Sequence, residues 1–339
     1  MEHAKASSTK SLHFPQYDDE VVRLNTGSLG AVVGPALAAQ NQFRDWFLTD
    51  TGPHRYHFTG RLGPEIQDSL QEVVSMFQEC REVSTWWEQR WCFVQNATTA
   101  AAIVGHHWQK KVRAAAAQRS SFLIVTDCIF GPIKRCFEEH LEEVVIVELQ
   151  LLSDTEKGGR SIPQTKAEII KRFERELVSA VQIITDLSHG TAANIFCCLE
   201  YIPCVPAILF PVPNMISKVK DVLPDSKIFV DAAQMFLEQD LSFRSLLGNP
   251  DFAVINLYKW NFAPVGSSIL YFREEDVNHV VPSWTGGMSH TGWYTGLRDY
   301  SAYIATKHAI QVRYYRDLTS LVYFLIEYGH YHYYVRIFC

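Results

Sequence analysis

The chain has 339 residues, of which 47% are hydrophobic, and its 31 Lys and Arg residues against 37 Asp and Glu residues give a net charge of −6. This length and apolar content predict a large core, built as one big domain plus a smaller one. The mild negative charge, with basic residues scattered along the chain, argues against nucleic acid or an anionic membrane as a partner.

The beginning of the chain is polar and lacks an apolar segment, so residues 1–20 are predicted to form a flexible tail and not a secretory signal. Eight cysteines show no CxxC pair or framework spacing, which favours reduced, mostly buried thiols over disulfides or a zinc site. Apolar runs such as residues 195–209, which Glu200, Pro203 and Pro206 interrupt, are too short to cross a bilayer. We therefore expect a cytoplasmic protein.

Short β-rich runs with few charges follow, as is typical of strands that are covered on both faces. These predicted strands are residues 91–94, 121–126, 144–149, 180–185, 207–210, 228–230, 252–256 and 268–272. Helix-compatible stretches lie between many of them, at residues 98–118, 166–178 and 215–223. Strands that alternate with helices predict an α/β fold with a mainly parallel sheet between helices, in which ligands bind at the carboxyl ends of the strands.

The pattern changes at about residue 276, where aromatic and polar residues precede a predicted helix over residues 301–327. Residues 21–275 are accordingly expected to form the large α/β domain, and residues 276–339 the beginning of a small C-terminal domain. The aromatic run at residues 328–334 differs from an ordinary domain ending. The sequence therefore predicts that the small domain is truncated.

The junction between the first predicted strand and its helix reads Asn-Ala-Thr-Thr at residues 96–99. Free backbone N–H groups and the positive end of the helix dipole make such a junction suited to an anion, with Thr98 and Thr99 hydroxyls as further donors. Asn and Thr are also good helix N-caps, so these residues could serve only to begin the helix. Past the second strand, Phe130 could stack on a planar ring, although an aromatic residue there is more often part of the core.

Two later strands each lead to an ionisable residue. Residues 228–231 read Ile-Phe-Val-Asp, and residues 256–260 read Asn-Leu-Tyr-Lys-Trp. Asp231 and Lys259 at neighbouring strand ends match the needs of pyridoxal 5'-phosphate (PLP): an amine that forms an imine with its aldehyde, and a carboxylate that keeps its ring nitrogen protonated. Taken singly, such a lysine is usually a solvated charge, and such an aspartate is usually a turn or helix cap.

The order of these segments resembles the class V aminotransferase family of PLP-dependent enzymes, especially its isopenicillin N epimerase-like and cysteine desulfurase- or desulfhydrase-like branches. The resemblance extends from about residue 21 to residue 307. It depends on five segments in order, namely residues 24–30 (LNTGSLG), 96–99 (NATT), 231–234 (DAAQ), 258–266 (YKW with Pro264 and Gly266) and 294–302 (YTGLRDYSA). It implies PLP-dependent fold type I, like that of aspartate aminotransferase.

The resemblance also implies roles at matching positions. Lys259 would hold PLP as a Schiff base and then move the α-proton of the substrate. Asp231 would pair with the ring nitrogen, Gln234 would hydrogen-bond the ring hydroxyl oxygen, and Phe130 would stack on the ring.

Further implied contacts concern the phosphate, the neighbouring subunit and the substrate. The residues of one subunit implied to contact the phosphate are Asn96, Ala97, Thr98, Asn256 and Tyr258. Relatives are usually homodimers, so Thr295 and Gly296 would reach the neighbour's phosphate. Arg336 is the candidate for binding the carboxylate of an amino-acid substrate.

Three positions depart from the family pattern. Tyr258 stands where histidine is common, although a phenol can still donate to a phosphate. Leu297 replaces a threonine that supplies a phosphate hydroxyl in relatives. Residues 190–193, which follow Ser188-His189, lack the usual polar residue at Ala192.

The resemblance implies an enzyme that acts at the α-carbon of an amino acid, with carbon-sulfur lyase (cysteine desulfhydrase-like) activity favoured over epimerase activity. Transamination is a further option. A desulfurase is less favoured because it needs a nucleophilic cysteine on a mobile loop, and Cys339 has no visible activating partner. The alternative is a catalytically weakened or truncated family member that acts as a dimer partner without turnover.

Overall fold

The computed structural model describes residues 26–49, 61–78, 90–115, 120–140, 144–154, 159–237, 241–273 and 298–312. Within these ranges the central feature is a seven-stranded sheet. Its strands are β1 (Trp91–Val94), β2 (Ser121–Thr126), β3 (Val144–Leu149), β6 (Asn194–Glu200), β7 (Lys227–Asp231), β8 (Phe252–Asn256) and β9 (Ser268–Phe272). Two short strands, β4 (Ser153–Asp154) and β5 (Gly159–Arg160), form a separate antiparallel pair.

The strands of the large sheet lie in the order β1-β9-β8-β7-β6-β2-β3. Strands β3, β2, β6, β7 and β8 are mutually parallel, whereas β9 is antiparallel to both β8 and β1. Because β9 is antiparallel to both neighbours, β1 points in the same direction as the parallel strands. The carboxyl ends of β1, β2, β6, β7 and β8 therefore meet at one edge of the sheet.

Helices cover the sheet. They are α1 (Gly34–Thr49), α2 (Gly63–Val74), α3 (Ala97–Ala115), α4 (Gly131–His140), α5 (Lys166–Leu187), α6 (Val212–Val222), α7 (Phe243–Leu247) and α8 (Ser301–Val312). In the described ranges, no helix combines the length and apolar character that a membrane crossing requires.

Apolar side chains alternate between the two faces of the sheet, as the two-residue period of a strand requires. In β7, Ile228 and Val230 belong to one buried cluster and Phe229 to the other. Ile103 of α3 packs in the cluster that contains Phe229, whereas Ile169 of α5 packs in the opposite one. The structure thus confirms the predicted mainly parallel sheet between helices.

One predicted strand, residues 180–185, is wrong because these residues lie within α5. Thr165 caps this helix by accepting a hydrogen bond from the Glu168 backbone N–H at 3.1 Å. The buried face of the helix continues past the predicted end at residue 178, with Ala180 and Ile184 on it. This helical spacing of buried residues prevails over the β-branched composition of the segment.

Two further differences concern the segment between α5 and α6. Residues 207–210 were predicted as a strand, but they contain only an isolated bridge at Ile208. Pro206 and Pro211 flank this segment, and proline cannot donate to a strand ladder. The strand in this region is instead β6, which begins one residue before the interrupted apolar run of residues 195–209 and otherwise lies within it.

The last described helix, α8, packs on α1 and α2. The Ser69 hydroxyl of α2 donates to the Tyr303 carbonyl at 2.6 Å, and the Tyr303 ring stacks on Phe93 of β1 at 4.7 Å between centroids. On the surface, the Lys307 ammonium donates to the Asp68 carboxylate at 2.6 Å. These contacts fix α8 against the sheet beside β1.

Candidate functional site

A cavity of about 400 Å³ opens at the carboxyl edge of the parallel strands. It collects nine of the residues that the sequence singled out, and these are Asn96, Ala97, Thr98, Phe130, Asp231, Gln234, Asn256, Tyr258 and Lys259. They come from chain segments that are far apart in sequence, and the sheet topology brings them together. Carboxyl ends of strands are where ligands bind in open α/β sheets.

Asp231 is the last residue of β7 and is 7% exposed. Its carboxylate accepts a hydrogen bond from the Ala233 backbone N–H at 2.9 Å. Burial raises the pKa of Asp231, while this hydrogen bond and the positive charge of Lys259 oppose the shift. The Ala233 hydrogen bond and the nearby Lys259 cation thus both favour the ionised form of this carboxyl group.

Lys259 follows β8, the strand paired in parallel with β7, and its side chain is half-buried in the same cavity. Burial lowers the pKa of Lys259, and the negative charge of Asp231 opposes the shift. The amine and the Asp231 carboxylate thus interact electrostatically, although no direct ion pair joins these two described residues. A lowered pKa increases the fraction of Lys259 whose amine is neutral and therefore nucleophilic.

Gln234 connects three parts of the site. Its amide nitrogen donates to the Gly27 carbonyl at 3.0 Å, and its amide oxygen accepts from the Trp260 indole N–H at 2.8 Å. These bonds join the segment before α1 and the segment after Lys259 to the turn that follows Asp231. Both ends of the side chain are thereby oriented.

Gly30 lies directly against the peptide of Lys259. Its backbone N–H donates to the Tyr258 carbonyl at 3.0 Å. A Cβ at this position would lie 1.9 Å from the Lys259 carbonyl oxygen and 2.7 Å from that of Tyr258. Only glycine permits this approach, so the Gly-Ser-x-Gly segment has a steric reason at its second glycine.

Helix α3 begins at the cavity, and Asn96 is its N-cap residue. The Asn96 side-chain oxygen accepts from the Thr99 backbone N–H at 2.8 Å. The capping interpretation of this junction is thus correct for Asn96, and it leaves the anion-binding interpretation open. The first N–H groups of a helix have no partner within it. Ala97 and Thr98, the first two residues of α3, both line the cavity.

Asn256 and Tyr258 form a small hydrogen-bonded group beside this helix end. The Asn256 amide nitrogen donates to the Tyr258 hydroxyl at 3.0 Å, and its amide oxygen accepts from the Ser268 hydroxyl at 2.8 Å. Burial, followed by the charge of Asp231, raises the pKa of Tyr258, and the Asn256 bond opposes this. The phenol therefore keeps its proton, which it can donate to an anion.

Phe130 lies at the cavity with 45% of its surface exposed, immediately before α4. It is therefore not part of the core. Its ring is available to contact a planar ligand.

Other residues of the cavity were not predicted from the sequence. Glu200 ends β6, and Ile202, Pro203 and Cys204 follow it. The signal that could have found Glu200 is the one that found Asp231, an acidic residue at the end of a buried apolar strand. Instead, Glu200 was taken only as an interruption of an apolar run.

The position of β6 changes how one departure from the family pattern is interpreted, namely the lack of a polar residue at Ala192. Residues 188–193 precede β6 and so lie toward its amino end, whereas the cavity lies at its carboxyl end. The absence of a polar residue at Ala192 is therefore no defect of the cavity. Cys204, which is exposed and has its sulfur 3.9 Å from the Gln234 amide nitrogen, lies there instead.

Some sequence predictions fall outside the described residues. Thr295, Gly296 and Arg336 are among them, as is Leu297. Of the cysteines in the described ranges, Cys92, Cys128, Cys197 and Cys198 are buried, and each cysteine described is a free thiol. This agrees with the predicted reduced and mostly buried thiols.

Curated relatives of the chain are named as L-cysteine desulfhydrases, two of them as probable or putative. The chain is 26% identical over 317 residues to a probable chloroplastic L-cysteine desulfhydrase of Arabidopsis thaliana, covering 90% of this chain and 61% of the relative. It is 24% identical to an L-cysteine desulfhydrase of the same plant, covering 88% of this chain and 62% of the relative. The chain thus spans about three fifths of the length of the curated relatives it matches. No family model matches the chain.

Similar solved structures are enzymes of sulfur-containing amino acids. The cysteine desulfurase CsdA of Escherichia coli superposes with a TM-score of 0.63 at 15% identity, covering 93% of this chain and 76% of that one. A mutant of C-DES with glycine covalently linked to its PLP cofactor superposes with a TM-score of 0.64 at 14% identity, covering 90% of this chain and 74% of that one. These likenesses confirm the fold that the family resemblance implied.

Proposed function

We propose that this protein binds PLP and cleaves a carbon-sulfur bond in cysteine or a related sulfur-bearing amino acid. The observation that carries the proposal is the position of Lys259 and Asp231. They lie at the carboxyl ends of two paired parallel strands and in one cavity, with the N-terminus of α3 at the same cavity. An amine, a carboxylate and an anion-binding helix end are the groups that PLP requires.

The residues present fit this cofactor. The Lys259 amine would hold it covalently, and the Asp231 carboxylate, whose pKa burial raises, would remain ionised by pairing with the ring nitrogen. The phosphate would lie against the backbone N–H groups of Ala97 and Thr98, with the Tyr258 hydroxyl as a further donor. When bound, PLP supplies a ring that accepts the electrons released at the substrate α-carbon.

Lys259 has a second role in the proposed reaction. Its amine would take the proton from the α-carbon of the bound amino acid. Burial, which lowers the pKa of Lys259, favours the neutral amine that such a base needs. The orientation of this segment comes from Gly30 and Gln234, since Gly30 lies against its peptide and Gln234 binds the adjacent Trp260.

The choice of carbon-sulfur cleavage over epimerisation is supported by the relatives. Those reported above are named as L-cysteine desulfhydrases, and one similar structure is that of a cystine C-S lyase in complex with its product, cysteine persulfide. Substrate choice depends on pocket shape, which the fold alone does not set. The homodimer and the cytoplasmic location remain predictions, and one of the relatives is named as chloroplastic.

Absorbance tests the cofactor. Purified protein mixed with PLP should develop a yellow band that persists after dialysis, and Lys259→Ala should lose it. Lys218→Ala is the matched control because Lys218 lies on the exposed surface of α6, paired with Glu174 at 2.8 Å. A wild-type protein that stays colourless after PLP is added would remove the proposal.

Product analysis tests the reaction. Incubation of the yellow protein with L-cysteine or its S-substituted analogues should release sulfide or the corresponding thiol, together with pyruvate and ammonia. Alanine with protein-bound sulfur would indicate desulfurase chemistry instead, and a D-amino acid would indicate epimerisation. Either result, without pyruvate, would contradict the lyase assignment while leaving PLP binding intact.

A further inference from the structure

Glu200 occupies a central position at the carboxyl edge of the sheet and is not used in the function proposed above. It ends β6, between Thr126 at the end of β2 and Asp231 at the end of β7, and the β-ladder places it directly opposite Asp231. It lines the cavity and is 2% exposed. The Thr126 hydroxyl donates to its Oε2 at 2.7 Å, whereas its Oε1 has no hydrogen-bond partner in the described part of the chain.

The surroundings of this carboxyl group disfavour its charge. Burial raises the pKa of Glu200 to about 8, the Thr126 bond opposes the shift, and the charges of Asp231 and Asp127 add to it. The thiols of Cys128, Cys197 and Cys198 also interact electrostatically with Glu200. Lys259 and Tyr258 share the cavity, but no described lysine or arginine forms an ion pair with it.

We propose that Glu200 is a further positioning residue of this site, which acts through Asp231. It is an uncharged carboxylic acid at neutral pH, and its ionisation places a second negative charge beside Asp231. In its protonated form, Oε1 or Oε2 carries a proton that can be donated into the cavity. In its ionised form, two neighbouring strand ends carry like charges. The effect on PLP described below rests on the proposed function, whereas the ionisation itself does not.

Unfolding of the cofactor-free protein tests the ionisation independently of PLP. Between pH 4.5, which equals the ordinary pKa of a glutamate, and about pH 8, Glu200 holds a proton in the folded state that it loses in the unfolded state. Stability contributed by this group must therefore fall as pH rises, by up to about tenfold in the unfolding equilibrium constant per pH unit. Glu200→Gln cannot titrate, so the ratio of wild-type to variant unfolding constants should rise from pH 5 to 8 and then level.

The matched control is Glu139→Gln, an exposed carboxylate on α4, for which the ratio should stay nearly constant. A constant ratio for Glu200→Gln would overturn the proposal. Should that variant fail to fold, Thr126→Val keeps Glu200 in place and removes the hydroxyl that favours its charge. The decline in stability should then extend to higher pH than in wild type, and an unchanged profile would contradict the proposal.

Coupling to Asp231 is tested in the same way. In an Asp231→Asn background, removal of the neighbouring charge should make Glu200 ionise more readily. The pH range over which the chain with Glu200 loses stability relative to its Glu200→Gln counterpart should therefore end at lower pH. If this range does not move, Glu200 does not act on Asp231.

The PLP-loaded protein gives a readout that a merely structural residue would not change. An ionised Glu200 favours cationic groups nearby, so the yellow band should persist to higher pH in wild type than in Glu200→Gln. Equal midpoints for the two proteins would show that Glu200 has no influence on the cofactor. A colourless wild type would remove the proposed function, and the unfolding comparison would still decide whether Glu200 is uncharged.

Discussion

At the scale of single residues, the position of Gly30 against the Lys259 peptide leads to a sharp test. In Gly30→Ala, the new Cβ would lie 1.9 Å from the backbone oxygen of Lys259, and neither segment can yield without moving the lysine. We expect the free energy of unfolding to fall by about 1 to 3 kcal/mol. The yellow band with added PLP should also weaken, and titration with PLP measures both its intensity and its affinity.

Gly131→Ala is the matched control for this substitution. Gly131 begins α4, and a Cβ built there meets nothing within 4 Å. Urea unfolding of Gly131→Ala should therefore stay within about 0.5 kcal/mol of wild type, in the range of surface substitutions. If Gly30→Ala behaved like Gly131→Ala, the close approach of the two segments would be wrong.

Gln234 offers a second test at this scale. Gln234→Leu leaves the Gly27 carbonyl and the Trp260 indole N–H without the partners that Gln234 supplies. These groups are partly buried, so loss of a hydrogen bond should cost about 0.5 to 1.5 kcal/mol, which urea unfolding should detect. The control is Gln182→Leu, whose side chain is exposed on α5 and donates to Asp186. Equal effects of the two substitutions would contradict the connecting role of Gln234.

The sequence could indicate Asp231 and Lys259 because each comes at or just after an apolar run, and charged residues there must face a functional site or solvent. The sequence could not show whether Glu200 is a site residue or only a polar interruption of an apolar run. Nothing in the local sequence indicates that β6 ends beside β7. Cys204 carried no signal either. Its place in the cavity comes from the path of the chain after β6.

At the scale of elements, the beginning of α3 combines a cap with a candidate phosphate site, and substitutions of Asn96 can separate the two. Asn96→Ala removes the bond to the Thr99 N–H, which should lower stability by about 0.5 to 2 kcal/mol. Asn96→Ser restores a capping oxygen but not the amide. We expect Asn96→Ser to recover most of the stability measured by urea unfolding.

The same pair of variants separates two origins of PLP affinity. If the cap alone positions the N–H groups of Ala97 and Thr98, then Asn96→Ser should bind PLP nearly as well as wild type. If the Asn96 amide itself contacts the phosphate, the affinity should stay low in both variants. Equilibrium titration by absorbance distinguishes these outcomes, and unchanged affinity in both would exclude Asn96 from the site.

Most strands could be predicted at this scale because buried parallel strands are continuous apolar runs. The failure at residues 180–185 has a clear physical origin. The segment is rich in β-branched residues, but its buried positions, Ala180 and Ile184, continue the helical spacing of Phe173 and Leu177. The face that becomes buried thus decides between helix and strand, and composition alone does not.

At the scale of the whole molecule, strand order makes the site. β1 is the outermost strand on one side of the sheet, and β2 lies five positions away in the order β1-β9-β8-β7-β6-β2-β3. The antiparallel β9 fills the place between β1 and β8, so the start of α3 lies at the same edge as Asp231 and Lys259. No local sequence signal encodes this order, since it depends on contacts between distant segments. The sequence segments could therefore predict which side chains come together in the site. How these side chains are arranged could be seen only in the folded structure.

The titration of Lys259 should appear in the global stability of the cofactor-free protein. Burial lowers its pKa in the folded state, so the unfolded chain binds its proton over a range in which the folded chain does not. The unfolded state then holds more protons, and stability contributed by this group must rise with pH, up to the ordinary value of 10.5. Relative to Lys259→Met, wild type should be least stable at the low end of the pH range and should gain stability in urea unfolding as pH rises toward 10.5. Lys218→Met is the control, because its pKa is raised by Glu174 and its proton is bound in both states below 10.5. A difference between wild type and Lys259→Met that is flat, or that falls with pH, would show that the amine is not buried as the fold requires.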